Sequence, residues 1–257
     1  MEKIKAALLT GGAGAIGSAT VRALLEDMPV FFTDIDETKG REFEKTLKGE
    51  NREAYFIKND VHDPKDAARL AREIEKRGYK VKWLINNVGL NVEQKERGIF
   101  YDYTSEAWNR VCDTCLDGLY NMTREFIDSV KEEKGAVVNI GSVTGFYAPL
   151  RYQCAYNICK SFIHNITRCM AIDYGKWGVN VNCVIPGSVI NPMIKELLYS
   201  SNEAREKMSK HIPLGYAGEP SYIANAVKYL LSEKAQYISG ALLNVDGGWA
   251  AGYCADN

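Results

Sequence analysis

The sequence predicts an α/β fold, a doubly wound parallel sheet with helices on both faces. Three observations predict it. Apolar runs of strand length alternate with longer helical patterns from one end of the chain to the other. Several of those runs are continuously apolar instead of strictly alternating, as strands covered on both faces are. The first of them leads straight into a glycine-rich turn that opens a helix, the start of a strand–helix–strand unit.

In chain order, strands are predicted at 6–9, 30–33, 54–57, 83–85, 136–140, 179–184 and 241–245. Helices are predicted at 16–26, 64–77, 105–131 and 156–174. The second of these starts with Asp63 in capping position and Pro64 in the first turn, and stops at Gly78. The third has Ser105 as its expected cap and Gly135 beyond its end, and the fourth stops at Gly175. No linker, repeat or low-complexity tract interrupts the 257 residues, so residues 1–257 are expected to form a single domain. The segment 191–211 breaks the rhythm with a polar helical pattern where a short crossover would suffice. Long connections near sheet ends are often functional, and a substrate lid is expected there.

Composition narrows the function. Hydrophobic residues are 46% and charged residues 25%, which excludes a mainly disordered chain. With Lys+Arg at 32 and Asp+Glu at 33, the net charge is −1. That balance gives no electrostatic reason to expect nucleic acid or an anionic membrane as a partner. No run approaches the ~18 apolar residues of a membrane helix, and the opening Met1-Glu2-Lys3 does not read as a secretory signal. The seven cysteines sit mostly between Cys112 and Cys183. Reduced thiols and a cytoplasmic location are the expectation.

The glycine turn reads Thr10-Gly11-Gly12-Ala13-Gly14-Ala15-Ile16-Gly17. Gly12-x-Gly14-x-x-Gly17 fits a Rossmann-type dinucleotide turn, in which bare backbone approaches a pyrophosphate and a helix N-terminus binds it. Ser18-Ala19 follows where a P-loop needs Lys, which argues against a nucleoside triphosphate site. Asp34, at the end of the second strand, stands where a carboxylate accepts hydrogen bonds from the adenosine ribose and repels a 2′-phosphate. No Lys or Arg lies between Gly11 and Gly17 or directly after Asp34. These features favour NAD(H) over NADP(H).

Tyr156 and Lys160 are four residues apart in a helical segment and share one face. An ammonium stabilises a phenolate, so such a pair is suited to proton exchange with an alcohol or carbonyl near neutral pH.

Taken in order, these motifs resemble the short-chain dehydrogenase/reductase family over nearly the whole chain. The resemblance adds Asp60-Val61, Asn86-Asn87-Val88-Gly89, the strand Asn139-Ile140-Gly141-Ser142, Pro186-Gly187 and the late Val245-Asp246-Gly247-Gly248. It implies Tyr156 as general acid/base, Lys160 as the group that lowers its pKa and holds the nicotinamide ribose, and Ser142 as a hydrogen-bond partner of the substrate oxygen. It implies a cofactor site made by Gly11, Gly14, Ile16 and Gly17 at the pyrophosphate, and Asp34 at the ribose. Asp60 and Val61 would meet the adenine, Asn87 and Gly89 the neighbouring ribose region, and Pro186, Gly187 and Val189 the nicotinamide. The implied reaction is hydride transfer between NAD and a secondary alcohol or ketone. The implied assembly is a homo-oligomer, a dimer or a tetramer, built on the two long helices.

Four departures accompany the resemblance. Ala15 stands where the family usually has Gly. Read as Thr-Gly-x-x-Gly-x-x-Gly, the turn also matches extended relatives that include sugar epimerases. The chain's length, Pro186-Gly187 and Asp246-Gly247-Gly248 speak against those. Val88 replaces Ala, and Ser142 and Tyr156 stand one residue further apart than is common. Cys115 falls where the family usually places a catalytic-tetrad Asn, and Cys is a weak hydrogen-bonding group.

Other readings carry less. Cys112 and Cys115 form a C-x-x-C, with Cys154 and Cys159 as conceivable further ligands, but buried small hydrophobes are the more usual role. No metal is expected, and His62, His164 and His211 lack ligand spacing. Tyr147, Arg151, Tyr152, Tyr199, His211, Trp249 and Tyr253 are candidates for a substrate wall. Steroid, polyol, sugar and hydroxy acid all stay open. The competing functions are an NADPH-type 3-oxoacyl or carbonyl reductase, and a non-catalytic dinucleotide sensor.

Overall fold

The computed structural model describes residues 3–91, 93, 96, 98–147, 153–192, 194–196, 201, 203, 206 and 210–252. Seven parallel strands form one sheet in the order β3-β2-β1-β4-β5-β6-β7. They are β1 (Ile4–Thr10), β2 (Val30–Asp34), β3 (Ala54–Lys58), β4 (Tyr79–Asn86), β5 (Ala136–Ile140), β6 (Asn180–Pro186) and β7 (Leu242–Val245). Every strand expected from the sequence is present, and the doubly wound parallel architecture is as expected.

The continuous apolar pattern has a simple cause: successive side chains go to opposite faces, and both faces are covered. Ala6 and Leu8 of β1 join one apolar cluster with Leu70, Phe126 and Ile163. Ala7 and Leu9 join the other with Val21, Leu47 and Val227. The first cluster is roofed by α3 (Pro64–Lys76), α5 (Gly118–Glu132) and α6 (Cys154–Gly175). The second is roofed by α1 (Ala15–Leu24), α2 (Glu37–Gly49) and α7 (Pro220–Leu231). Sequence reading did not single out α2 or α7.

Local signals place some helix ends and misplace others. Asp63 accepts the Lys65 N–H and Pro64 lies in the first turn of α3, as predicted. At α4 (Ser105–Cys112) the cap is Thr104, not Ser105: the Thr104 hydroxyl accepts the Ala107 N–H at 3.1 Å and Ser105 is already helical. The predicted helix 105–131 is divided. A π-helical turn, Asp113–Asp117, separates α4 from α5 and has Cys115 at its centre.

The reversal of strand order lies between β1 and β4. Open α/β sheets bind ligands at this switch point, beyond the carboxyl ends of the strands. Most of the expected lid, 191–211, lies outside the described residues. No helix among the described residues is long and apolar enough to cross a membrane.

Candidate active site

A crevice of about 820 Å³ opens at the switch point, within the usual range of small-molecule sites. Gly11, Gly14, Ile16 and Gly17 line it from the turn between β1 and α1. Gly11 has φ +70°, the left-handed region that favours glycine. A Cβ on Gly17 would lie 2.1 Å from the Gly11 carbonyl oxygen, so the turn closes only over a bare residue. Gly14 is different: its Cβ would meet only that same oxygen, at 3.5 Å. Gly14 is also the N-cap of α1, which has no side-chain cap and no acidic residue in its first turn. An uncapped helix start beside open space is an anion cradle, and these residues fit a dinucleotide pyrophosphate.

Asp34, Asp60 and Val61 line the same crevice from the ends of β2 and β3. The Asp34 carboxylate accepts the Ala13 N–H at 3.0 Å and the Asp36 N–H at 3.1 Å. Asp60 accepts the His62 N–H at 3.0 Å. Asn87 and Gly89 line the crevice beyond β4. Asn87 donates its two side-chain N–H groups to the Thr10 and Gly11 carbonyls, at 2.9 and 3.0 Å. Its backbone N–H goes to the Thr10 hydroxyl at 3.1 Å. It therefore latches the β4 end to the glycine turn as well as facing the crevice.

Tyr156 and Lys160 share a face of α6, and the Lys160 Nζ stands 5.6 Å from the centre of the Tyr156 ring. Lys160 is 3% exposed. Its ammonium donates to the Ile140 carbonyl at the end of β5, at 2.8 Å. Ser142 follows that strand and caps a 3-10 turn, Val143–Gly145. Its hydroxyl oxygen accepts the Thr144 N–H at 3.2 Å and the Thr144 hydroxyl at 3.1 Å. Tyr156, Lys160 and Ser142 do not line the crevice themselves. Gly89 joins the two regions, since its Cβ would lie 3.0 Å from the Lys160 Nζ.

Of the third segment, Val189 lines the crevice and pairs with Gly218 in an isolated bridge. Pro186 and Gly187 do not line it. Gly187 lies against Asp246, where a Cβ would meet backbone at 2.8 Å.

Cys115 is buried in the π-helical turn. Its Sγ accepts the Leu90 N–H at 3.3 Å and donates to the Leu90 carbonyl at 3.6 Å. Contact with Cys159 and the nearby Lys160 ammonium outweigh burial and hold the Cys115 thiol below its ordinary value. The same Cys115 contact, with burial, pushes Cys159 up. Cys112 and Cys159 lie Sγ to Sγ at 4.0 Å. Among the described residues, no group of three or more His, Cys, Asp or Glu side chains is placed to hold a metal.

Parts of the expected substrate wall converge. The Tyr147 hydroxyl donates to the Trp249 carbonyl at 3.4 Å, and His211 stacks on the Trp249 ring with centroids 6.4 Å apart. Arg151, Tyr152, Tyr199 and Tyr253 lie outside the described residues. Sequence reasoning missed Thr144, although Ser142-x-Thr144 is a spacing at which a hydroxyl meets backbone two residues on. It also left His164 without a role. His164 is buried and accepts the Ser142 N–H through Nε2 at 3.5 Å. Burial first, then the Lys160 ammonium, pushes its imidazole down to about 4.

The chain is similar to known proteins over nearly its whole length. A family model described as enoyl-(acyl carrier protein) reductase matches residues 11–250. Galactitol 2-dehydrogenase of Rhizobium johnstonii is 32% identical over 250 residues, 95% of this chain and 94% of that protein. L-fucose dehydrogenase of Mus musculus is 29% identical over 253 residues, 97% of this chain and 89% of that one. Among solved structures, an oxidoreductase of the short-chain dehydrogenase/reductase family from Burkholderia thailandensis superposes with a TM-score of 0.86. It is 31% identical and covers 97% of this chain and 94% of its own.

Proposed function

The chain belongs to the short-chain dehydrogenase/reductase family, and from that premise we propose that it oxidises a secondary alcohol, or reduces the matching ketone, with NAD(H). The observation that carries the reading is Lys160: a buried ammonium anchored on the Ile140 carbonyl, 5.6 Å from the Tyr156 ring and against the crevice rim at Gly89. A bound nicotinamide dinucleotide supplies the hydride acceptor or donor. The protein supplies the proton path and the orientation.

Tyr156 takes the hydroxyl proton in oxidation and returns it in reduction. Lys160 stabilises the phenolate through its charge. Ser142 donates to the substrate oxygen. Gly11, Gly14, Ile16 and Gly17 hold the pyrophosphate, Asp34 the adenosine ribose, and Asp60 and Val61 the adenine. Asn87, Gly89 and Val189 flank the nicotinamide half, with Pro186 and Gly187 shaping the strand end behind it.

Asp34 supports NAD(H), because a carboxylate fixed at the crevice repels a 2′-phosphate. The relatives named above act, by their names, on a polyol and on a sugar. A polyhydroxylated secondary alcohol is therefore the first substrate class to try. A second reading, an NADPH-linked carbonyl or 3-oxoacyl reductase, draws support from a 3-oxoacyl-(acyl-carrier-protein) reductase of Staphylococcus aureus that is 28% identical over 252 residues.

The test is a panel of polyols, sugars, hydroxy acids and sterols with NAD⁺ and NADP⁺, following absorbance of the reduced cofactor. Turnover with NAD⁺ that Tyr156→Phe abolishes is the expected result. Faster turnover of 3-oxoacyl substrates with NADPH would favour the second reading. Sedimentation would test the expected homo-oligomer.

A further inference from the structure

We propose that Thr144 is a positioning residue that makes Ser142 an obligate hydrogen-bond donor to the substrate oxygen. This rests on the reading of Ser142 given above. A serine hydroxyl has one proton and two acceptor sites. Thr144 occupies both acceptor sites of Ser142, with its backbone N–H at 3.2 Å and its side-chain hydroxyl at 3.1 Å. The proton of Ser142 is the one hydrogen-bonding function left to it.

The surroundings keep that assignment in place. Ser142 is 8% and Thr144 5% exposed, so bulk water does not compete for the pair. The backbone of Ser142 is fixed independently, through its N–H to His164 Nε2. Gly141 and Gly145 close tightly on that imidazole: a Cβ on either would lie 2.7 or 2.6 Å from it. The loop thus presents the hydroxyl from a rigid base.

The chemical consequence is a division of roles. A hydroxyl that only donates stabilises a carbonyl oxygen or a developing alkoxide, and it cannot receive the alcohol's proton. Proton acceptance is left to Tyr156 alone. The chain from the Thr144 hydroxyl through the Ser142 hydroxyl to the substrate oxygen is also cooperative, each bond polarising the next. Without the Thr144 hydroxyl, one acceptor site on Ser142 is vacant and its proton is free to turn away from the substrate.

The experiment compares Thr144→Val, which keeps the shape and the backbone N–H, with Thr144→Ser, which keeps the hydroxyl. Wild type and Ser142→Ala are run beside them on the best substrate of the panel. Loss of one neutral hydrogen bond that acts in the transition state should lower kcat of Thr144→Val by about threefold to tenfold, with KM for alcohol and NAD⁺ nearly unchanged. Thr144→Ser should regain most of the rate, and melting curves should show all variants folded. Thr144→Val at the wild-type rate while Ser142→Ala is crippled would overturn this inference and leave the site reading intact. So would equal losses in Thr144→Val and Thr144→Ser, which would mark a packing role. Ser142→Ala at the wild-type rate would overturn the reading of Ser142, and this inference with it.

Discussion

Asp34 Oδ2 accepts the backbone N–H of Ala13 at 3.0 Å. The last residue of β2 is thereby bound to the glycine turn that follows β1. A carboxylate left mobile could swing aside for a phosphate; this one is held by the turn that the cofactor is proposed to occupy. The proposed cofactor preference and the shape of the pyrophosphate cradle are therefore linked through this hydrogen bond.

The first prediction follows. Asp34→Ala removes the carboxylate proposed to hold the ribose, and with it the charge that would repel a 2′-phosphate. A hydrogen bond to a charged group is worth ~1.5–3 kcal/mol, so Kd for NAD⁺ should rise by about tenfold to a hundredfold. Kd for NADP⁺ should rise less or fall. Titration of protein fluorescence with each cofactor reads both.

The two neighbouring glycines should behave differently. In Gly17→Ala the new Cβ meets backbone at 2.1 Å, and overpacking of that kind should cost about 3 kcal/mol. In Gly14→Ala the nearest atom is 3.5 Å away, so stability should change by about 1 kcal/mol or less. NAD⁺ affinity should nevertheless fall in Gly14→Ala, because the methyl fills cradle space. Urea unfolding and cofactor titration separate the two effects.

Cys115 ties the π-helical turn to Leu90, which lines the crevice. Cys115→Ala leaves the half-buried Leu90 N–H without that partner, a loss of about 1 kcal/mol. Cys115→Ser should recover part of the stability, and NAD⁺ affinity should follow the same order. Equal stability of Cys115→Ala and wild type in urea would contradict this.

His164 supplies a pH dependence. Its imidazole is pushed down from an ordinary 6.5 to about 4 by burial and by Lys160. The unfolded chain therefore binds the proton more readily. The stabilising contribution is full above pH ~6.5 and is lost as pH falls from there toward the folded value, up to about 3 kcal/mol in total. His164→Gln cannot titrate, so its urea midpoint should fall less than that of wild type between pH 7 and pH 5.

Much was legible in the residues themselves. Continuous apolar runs such as 6–9 announce strands covered on both sides, because a buried parallel sheet leaves no face for polar alternation. Gly11 and Gly17 announce a turn that needs bare backbone, and Asp63-Pro64 announces a helix start. Tyr156 and Lys160 share a face by helical spacing alone. What local sequence could not decide was the break at Cys115 and the contacts made across the fold. A π-helical turn in an otherwise regular helical pattern leaves no periodic mark. The Lys160 anchor on Ile140, the Asp34 grip on Ala13, the Asn87 latch on Thr10 and the His164 floor beneath Ser142 join residues far apart in the chain. Sequence spacing fixes which side chains share a face of one element; which faces then meet depends on how the helices pack onto the sheet, and only the tertiary structure decides that.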